Sequence, residues 1–183
     1  MNKKVFTIPN ILSFFRLLLI PVIVWLFFAF EDNYAAIGVM LLSGLTDIVD
    51  GYIARHYDMI SDVGKILDPC ADKLTQASVL VCIAIKLVPV RCLLVFMVIK
   101  ELTLGIVGLV TVRRTQVVTG AFWHGKLCTV VLYCVMLAHM LFMDMPEALS
   151  FALVSVSAAI MVLSLVLYIK KDVEIMREGK EKA

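Results

Sequence analysis

Long apolar runs separated by short polar segments fill most of the sequence. A membrane-spanning helix needs about 20 mainly apolar residues, because each residue adds about 1.5 Å and the hydrocarbon layer is about 30 Å thick. The runs here are continuous, whereas the strands of a membrane barrel alternate over short segments. The pattern therefore predicts an all-α integral membrane bundle in a single domain. Its six transmembrane helices cover residues 11–30, 34–54, 69–88, 90–112, 125–143 and 146–169 of the domain 1–183.

The residues at the ends of these runs refine the prediction. Pro9, Pro69 and Pro146 lie at or near predicted helix starts, where a missing N–H does no harm. Pro21 lies inside the first helix and predicts a kink. Residues 170–183 are polar and predict a cytoplasmic tail that extends the last helix along the membrane surface.

The composition agrees with a membrane protein. Hydrophobic residues make up 62% of the 183 residues, and the mean hydropathy is +0.98. A soluble domain is usually about half apolar. The net charge of +2 gives no reason to expect a nucleic-acid partner. No cleavage site of small residues follows the first apolar run, so we expect a retained anchor rather than a signal peptide. The five cysteines form no C-x-x-C pair and are interpreted as small apolar residues within helices.

Basic residues predict the orientation of the helices. Lys86 and Arg91 mark one side of the membrane, and Lys100 falls inside the fourth helix. Almost all other basic residues fall on the opposite side, which the positive-inside rule assigns to the cytoplasm. We therefore expect both termini and the second and fourth connections to be cytoplasmic. The short chain and the lack of an Arg/Ser-rich presequence favour a bacterial plasma membrane.

Four aspartates flank the second cytoplasmic connection. Asp47 and Asp50 are three residues apart and share a face near the end of the second helix. Asp68 and Asp72 are four apart and share a face at the start of the third. The connection is long enough to bring these helix ends together as antiparallel neighbours. The spacing thus predicts that four carboxylates converge on one pocket beneath the inner membrane surface.

Such a cluster of like charges requires cations. Carboxylates within a membrane helix are costly and repel one another, and divalent metal resolves both problems. All-oxygen ligands suit Mg²⁺ or Mn²⁺, and two ions could hold a diphosphate. Nearby, Gly51 and Ala54 allow close approach to the backbone, and Arg55 offers a planar fork for phosphate oxygens. Separately, these residues could be packing, capping or topology features, but together they are poorly explained in that way.

The stretch 47–72 resembles the signature of the CDP-alcohol phosphatidyltransferase family, D-x2-D-G-x2-A-R-x8-G-x3-D-x3-D, at every fixed position. The resemblance implies a six-helix fold and a homodimer that uses a CDP-linked lipid as donor. It also implies roles for individual residues. Metal binding would fall to Asp47, Asp50, Asp68 and Asp72, general-base catalysis to Asp72, and nucleotide binding to Gly51, Ala54 and Arg55.

Two further segments concern the acceptor, the molecule that would receive the group transferred from the CDP-linked lipid. Residues 8–16, IPNILSFFR, are similar to the P-N-x-[LI]-[ST]-x-x-R opening of phosphatidylglycerophosphate synthases, and residues 64–73, GKILDPCADK, resemble their second half-motif. Cys70 stands where leucine is usual. The resemblance implies transfer of a phosphatidyl group from CDP-diacylglycerol to sn-glycerol 3-phosphate, with release of CMP. CMP-forming cardiolipin synthases contain the same segments, so cardiolipin synthesis is the alternative.

A phosphorylated acceptor needs cationic groups. The candidates are Arg113, Arg114 and Lys126, which flank the cytoplasmic connection between the fourth and fifth helices, although they could equally be topology anchors. The run Gly125-Lys126-x-x-Thr129 resembles a G-K-x-x-T element of the glycerophosphate-using branch. Lys100 and Glu101, inside the fourth helix, need partners there. They either pair within the bundle or place Lys100 at the acceptor pocket.

Two other classes of function remain open. A divalent-cation transporter also carries membrane carboxylates, but it should show polar residues near the midplane of several helices. Here the four aspartates lie at one face of the membrane. A catalytically silent relative is the third possibility, and the intact set of four aspartates argues against it.

Overall fold

The structure is a computed structural model that describes residues 7–30, 32–56, 64–115 and 122–181, without the side chains of 54, 55, 65, 66 and 178–181. All regular structure in these ranges is α-helical, as predicted. The six helices are α1 (Ile8–Ala29), α2 (Asn33–His56), α3 (Gly64–Lys86), α4 (Val88–Thr115), α5 (Trp123–Leu141) and α6 (Glu147–Glu181).

Five of the six helices are long and apolar enough to cross a membrane, namely α1, α2, α4, α5 and α6. This confirms a multi-pass membrane protein. The third predicted span, 69–88, corresponds to α3, which is not among the five. The first part of α3 carries Asp68, Asp72 and Lys73, and these charges break the apolar run.

Helix boundaries correct one detail of the sequence prediction, the position of Pro69, and agree with another, the extension of the last helix. The helix α3 begins at Gly64, so Pro69 lies inside it rather than at its start. Pro69 has no N–H to donate back along the helix, so one hydrogen bond in the N-terminal part of α3 is lost. The predicted tail, 170–183, continues α6 as helix to Glu181. At the start of α1, Thr7 Oγ1 accepts a hydrogen bond from the Asn10 N–H at 3.4 Å, with Pro9 in the first turn.

The chain divides into two compact units, 1–86 and 87–183. In the first unit, α1 packs against both α2 and α3, while α2 and α3 touch each other at few residues. The side chains of Phe27 on α1, Met40 on α2 and Leu80 on α3 are at most 1% exposed. The expectation that the ends of α2 and α3 meet as neighbours thus corresponds to a small contact among the described residues, and α1 packs extensively against each of them.

In the second unit, α6 packs against both α4 and α5. The fully buried His139 links α5 to α6. Its Nε2 lies 2.9 Å from Ser150 Oγ, and its Nδ1 lies 2.8 Å from the Val135 carbonyl oxygen. Both ring nitrogens therefore have partners, which is what a buried imidazole requires. Outward-facing side chains such as Leu102 and Ile106 of α4 are exposed and apolar, as suits a helix that faces lipid.

Candidate active site

A buried arginine on α1 joins the two aspartates of α2. The Arg16 side chain is 1% exposed. Its Nη1 lies 2.6 Å from Asp47 Oδ1, and its Nη2 donates to Asp50 Oδ2 at 2.5 Å. Asp50 is as buried as Arg16, whereas nearly half of the Asp47 side chain is exposed. One guanidinium therefore pairs with two carboxylates, one enclosed and one that reaches the surface of the unit, and offsets one of their two charges.

One turn earlier on α1, Ser13 contacts the first aspartate of α3. Ser13 and Arg16 are three residues apart and so lie on the same face of α1. The fully buried Ser13 Oγ is within hydrogen-bonding distance of Asp68 Oδ1 and lies 2.9 Å from the Pro9 carbonyl oxygen. A hydroxyl has one proton to donate, so it serves one of these acceptors at a time. This face of α1 thus contacts acidic residues of both α2 and α3.

The second aspartate of α3 is oriented from within its own helix. Gln76 Nε2 donates to Asp72 Oδ2 at 2.9 Å, and Gln76 Oε1 accepts from Lys73 Nζ at 3.4 Å. Gln76 is completely buried, so its amide has a fixed position. The hydrogen bond limits the rotation of the Asp72 carboxylate, and this is useful for a group that must meet a substrate at a defined angle.

The four aspartates, which we call the acidic cluster, lie close enough to influence one another. Repulsion from Asp68 and Asp72 acts on Asp47, and repulsion from Asp68 acts on Asp50. Residues of the α2 and α3 half-motifs thus share one electrostatic environment. Both half-motifs contact α1, which contributes a cation, and their convergence on one pocket stays a prediction.

The donor set of the acidic cluster fits a hard divalent cation. All four side chains offer carboxylate oxygens, the ligands that Mg²⁺ and Mn²⁺ prefer. Among the described residues, the Arg16 guanidinium forms ion pairs with two of these four carboxylates. Among the residues described, however, no three acidic, histidine or cysteine side chains already stand close enough to bind one ion. Metal binding therefore requires side chains of the cluster to rearrange.

The predicted nucleotide-binding residues lie on the last two turns of α2. Gly51 directly follows Asp50 and is partly exposed. Ala54 and Arg55 belong to the same helix, but their side chains are outside the part of the chain that the structure describes. Their position on α2 agrees with the sequence expectation, and their predicted contacts stay predictions.

The predicted acceptor-binding residues belong to the second unit. Arg113 and Arg114 are exposed on the last turn of α4, and Lys126 is exposed on the first turn of α5. Inside α4, Lys100 Nζ donates to Glu101 Oε1 at 2.9 Å, and the lysine is 6% exposed. This ion pair corresponds to the structural alternative for Lys100, in which it pairs within the bundle.

An aromatic group fixes the start of α5. The Phe122 N–H donates to Tyr168 Oη at 3.2 Å, and the Tyr168 ring packs edge-on against Phe122 and His124, at centroid distances of 5.4 and 4.5 Å. A Cβ at Gly125 would lie 2.9 Å from Tyr168 Cε2. The glycine of the G-K-x-x-T element is therefore required for α6 to approach α5 this closely.

Two residues of the site were missed as functional candidates in the sequence. In the sequence, both Ser13 and Arg16 belong to the motif of residues 8–16, which was interpreted only in terms of the acceptor. The available signal was the cost of a charge about two turns inside an apolar 22-residue helix, since such a charge needs a partner. The nearest acidic residues in the motif were Asp47 and Asp50.

The chain matches one protein family over nearly its whole length. The family is described as CDP-alcohol phosphatidyltransferase, and the match covers residues 6–169, which include the whole acidic cluster. This chain belongs to the CDP-alcohol phosphatidyltransferase family. The resemblance inferred from the motif is thereby confirmed at the level of the family. CDP-alcohol phosphatidyltransferases generally use a divalent metal, in agreement with the oxygen donors found here.

Individual relatives carry two different names. The chain is 38% identical over 115 residues to a CMP-forming cardiolipin synthase of Streptomyces coelicolor. The aligned region covers 59% of this chain and 53% of that protein. The chain is 44% identical over 69 residues to a CDP-diacylglycerol–glycerol-3-phosphate 3-phosphatidyltransferase of Rickettsia typhi, with 37% and 39% covered. It is 42% identical over 86 residues to a cardiolipin synthase (CMP-forming)/mitochondrial hydrolase fusion protein of Schizosaccharomyces pombe, with 47% and 14% covered. The chain thus spans about half or less of the length of these relatives.

Proposed function

We propose that this protein transfers a phosphatidyl group from CDP-diacylglycerol to sn-glycerol 3-phosphate and releases CMP. The observation that carries the proposal is the acidic cluster. Two carboxylates of α2 and two of α3 share one electrostatic environment in a chain of the CDP-alcohol phosphatidyltransferase family. The complete family signature between residues 47 and 72 supports the same reaction.

In this proposal, Asp47, Asp50, Asp68 and Asp72 hold divalent metal, Mg²⁺ or Mn²⁺, with two ions in the site. Bound metal offsets the negative charge that develops on the diphosphate oxygens during phosphoryl transfer. The exposure of Asp47 supports access of the diphosphate to the cluster, because a ligand that faced only buried carboxylates could not reach them. Burial of Asp50 keeps the inner part of the site dry, which strengthens electrostatic interactions there.

The chemical step needs a base for the acceptor hydroxyl, and we assign this role to Asp72. Asp72 accepts the hydroxyl proton while the acceptor oxygen forms a bond to the lipid-side phosphorus. The bond between that phosphorus and the bridging oxygen breaks, and the oxygen leaves with CMP. The hydrogen bond from Gln76 Nε2 to Asp72 Oδ2 supports the assignment, because a general base must hold a fixed direction toward its proton.

The remaining part of α2 serves the nucleotide in this proposal. Gly51 lets the cytidine nucleotide approach the helix backbone, and Ala54 keeps the same surface small. Arg55 then binds phosphate oxygens through its planar fork of N–H groups. The support for these roles is the position of the three residues directly after Asp50 on the same helix.

The acceptor phosphate would be bound by Arg113, Arg114 and Lys126. Their exposure at the end of α4 and the start of α5 supports this role, since charged groups there can bind an anionic ligand without being buried first. The second candidate reaction is cardiolipin synthesis, in which phosphatidylglycerol is the acceptor. Two of the three relatives described above carry the name cardiolipin synthase, and this favours keeping it as the alternative.

We further propose a homodimer in the plasma (inner) membrane with both termini and the acidic cluster on the cytoplasmic side. The excess of basic residues on that side supports the orientation. The donor is then a lipid of the same membrane, and a water-soluble acceptor approaches from the cytoplasm.

The test is release of radiolabelled CMP from CDP-diacylglycerol by the purified protein in lipid nanodiscs. Glycerol 3-phosphate, phosphatidylglycerol, inositol and serine are offered in parallel with Mg²⁺. We expect rapid release with glycerol 3-phosphate alone, and phosphatidylglycerophosphate as the product. Release with phosphatidylglycerol instead assigns the cardiolipin reaction. If no acceptor supports release while the protein moves Mn²⁺ across a vesicle membrane, the enzymatic proposal is wrong and the transporter class is correct.

A further inference from the structure

Arg16 occupies an unusual position for a residue outside the family signature. Its two terminal nitrogens contact Asp47 and Asp50, two of the four proposed metal ligands. The contact with Asp47 is an ion pair at 2.6 Å without the alignment of a hydrogen bond, and the buried Nε has no hydrogen-bond partner among the described residues. The guanidinium is thus held mainly by the charges of the two carboxylates.

In the metal-free protein, a cation at this position stabilises the buried carboxylate of Asp50. Asp50 is 1% exposed, and an isolated buried carboxylate is very unfavourable unless it is paired. Asp50 is also repelled by Asp47 and Asp68. The guanidinium offsets both effects, because it is the positive group in direct contact with the α2 pair.

The same contact opposes metal binding. A divalent ion held by Asp47 and Asp50 repels a guanidinium that touches the same two side chains. A carboxylate can contact both cations through its two oxygens, so this repulsion weakens metal binding unless the metal displaces Arg16 from at least one carboxylate. The weakly directed pair with Asp47 is the contact that is easier to give up, since it lacks hydrogen-bond alignment and the Asp47 side chain is partly exposed.

We propose that Arg16 is an internal cation that stabilises the empty metal site and competes with the divalent ion for Asp47 and Asp50. Arg16 is thus a positioning residue, which acts on the substrate through the metal ligands. This inference rests on the proposed function, because it needs the acidic cluster to be the metal site. Two consequences follow. Removal of the guanidinium lowers the stability of the metal-free protein and tightens its binding of metal.

The experiment measures Mn²⁺ binding without substrate. The wild type, Arg16→Gln and Arg16→Lys are purified in detergent, and free Mn²⁺ is followed by electron paramagnetic resonance during titration. We expect Arg16→Gln to bind Mn²⁺ about fivefold more tightly or better, the lower range of ordinary coupling between two sites. Arg16→Lys should fall between the two, because an ammonium is a single point charge and cannot form a fork with both carboxylates.

Thermal unfolding provides the second readout on the same samples. Metal-free Arg16→Gln should unfold at a lower temperature than the wild type, and saturating Mn²⁺ should raise its unfolding temperature by more than it raises that of the wild type. The matched control is Lys86→Gln. Lys86 Nζ lies over the Phe27 ring at 4.7 Å in the same unit, so the variant removes one charge without touching a described carboxylate contact. Its Mn²⁺ affinity should equal that of the wild type.

Equal or weaker Mn²⁺ binding by Arg16→Gln, in a protein that retains its helical content, overturns the inference. If Arg16→Gln does not fold, Arg16→Lys decides, and wild-type affinity in that variant overturns it as well. These results leave the proposed enzyme intact, provided the wild type binds Mn²⁺ and releases CMP. Absence of Mn²⁺ binding in every variant, together with metal-independent CMP release, overturns both the inference and the proposed metal site.

Discussion

Gly125 provides a sharp test of the packing at the start of α5. It is the third residue of that helix, and a Cβ there would lie 2.9 Å from Tyr168 Cε2 and 3.0 Å from Tyr168 Cζ. The Tyr168 ring has little freedom to withdraw. Its hydroxyl accepts the Phe122 N–H, and its faces and edges pack against Phe122 and His124. We predict that Gly125→Ala destabilises the protein.

Two effects of opposite sign determine how much Gly125→Ala changes the free energy of unfolding. Helix propensity favours alanine over glycine by up to about 1 kcal/mol. Overpacking of one methyl group costs about 1–3 kcal/mol, and displacement of the tyrosine also costs about 0.5–1.5 kcal/mol for its hydrogen bond. The steric effect exceeds the propensity effect, so we expect a net loss of roughly 0.5–3.5 kcal/mol in the free energy of unfolding.

The assay uses a thiol-reactive fluorescent dye during heating. Cys128, on the same helix, is 2% exposed and reacts when α5 unfolds, provided the other four cysteines are replaced by alanine in every sample. Gly125→Ala should lower the unfolding temperature of the otherwise unchanged protein. In the Tyr168→Ala background, Gly125→Ala should not lower it further. Gly105→Ala and Gly108→Ala in α4 are the controls, since a Cβ at either position meets nothing within 4 Å.

The sign of the result is decisive. If Gly125→Ala is as stable as Gly105→Ala, or more so, helix propensity governs this position and the close approach of Tyr168 is not a constraint. The same conclusion follows if the cost of Gly125→Ala is unchanged in the Tyr168→Ala background, because two residues in contact should not act independently.

The remaining predictions concern the proposed chemistry. Asp72→Asn should retain the fold and lower the rate of CMP release by about 100-fold or more, since it cannot accept the proton; the rate is measured at saturating CDP-diacylglycerol. Arg113→Ala combined with Lys126→Ala should raise the KM for glycerol 3-phosphate about tenfold or more, because charge-assisted hydrogen bonds are lost, while the KM for CDP-diacylglycerol stays constant. Chelation of divalent metal should abolish CMP release, and added Mg²⁺ or Mn²⁺ should restore it.

Each of these expectations has a contrary result. Turnover of Asp72→Asn near the wild-type rate removes Asp72 as the base. An unchanged KM for glycerol 3-phosphate in the double variant makes Arg113 and Lys126 topology anchors. Turnover that is indifferent to chelators leaves the acidic cluster without its proposed metal.

The sequence predicted the elements of the fold well because long apolar runs have few physical solutions in a membrane. All six predicted helices exist, with ends that differ by up to five residues apart from α6, which continues through the predicted tail. The packing of the helices was harder to predict. Spacing alone suggested that α2 and α3 pair directly, but α1 packs extensively against both. Which helices become neighbours depends on complementary surfaces, and hydropathy carries little information about these.

In the acidic cluster, too, the sequence predicted the relations within one helix but not the contacts between helices. The i, i+3 and i, i+4 spacings placed Asp47 with Asp50 and Asp68 with Asp72, because one helix determines each pair. The contacts made by Ser13 and Arg16 connect residues more than 30 positions apart. Electrostatics would have indicated that a buried arginine needs acids, but several acids were available in the sequence. Fold and coordinates were needed to identify which acids it contacts.

The central position of α1 has a consequence for how the protein is made. The helix α2 carries Asp50, a carboxylate that an apolar environment accepts poorly on its own, at a cost of up to about 3 kcal/mol on insertion scales. A chain synthesised from its N-terminus delivers the guanidinium of α1 before the carboxylates of α2 emerge. The first two helices can therefore enter the bilayer as a hairpin in which the guanidinium offsets part of the carboxylate charge, and α3 then has a finished surface on which to dock.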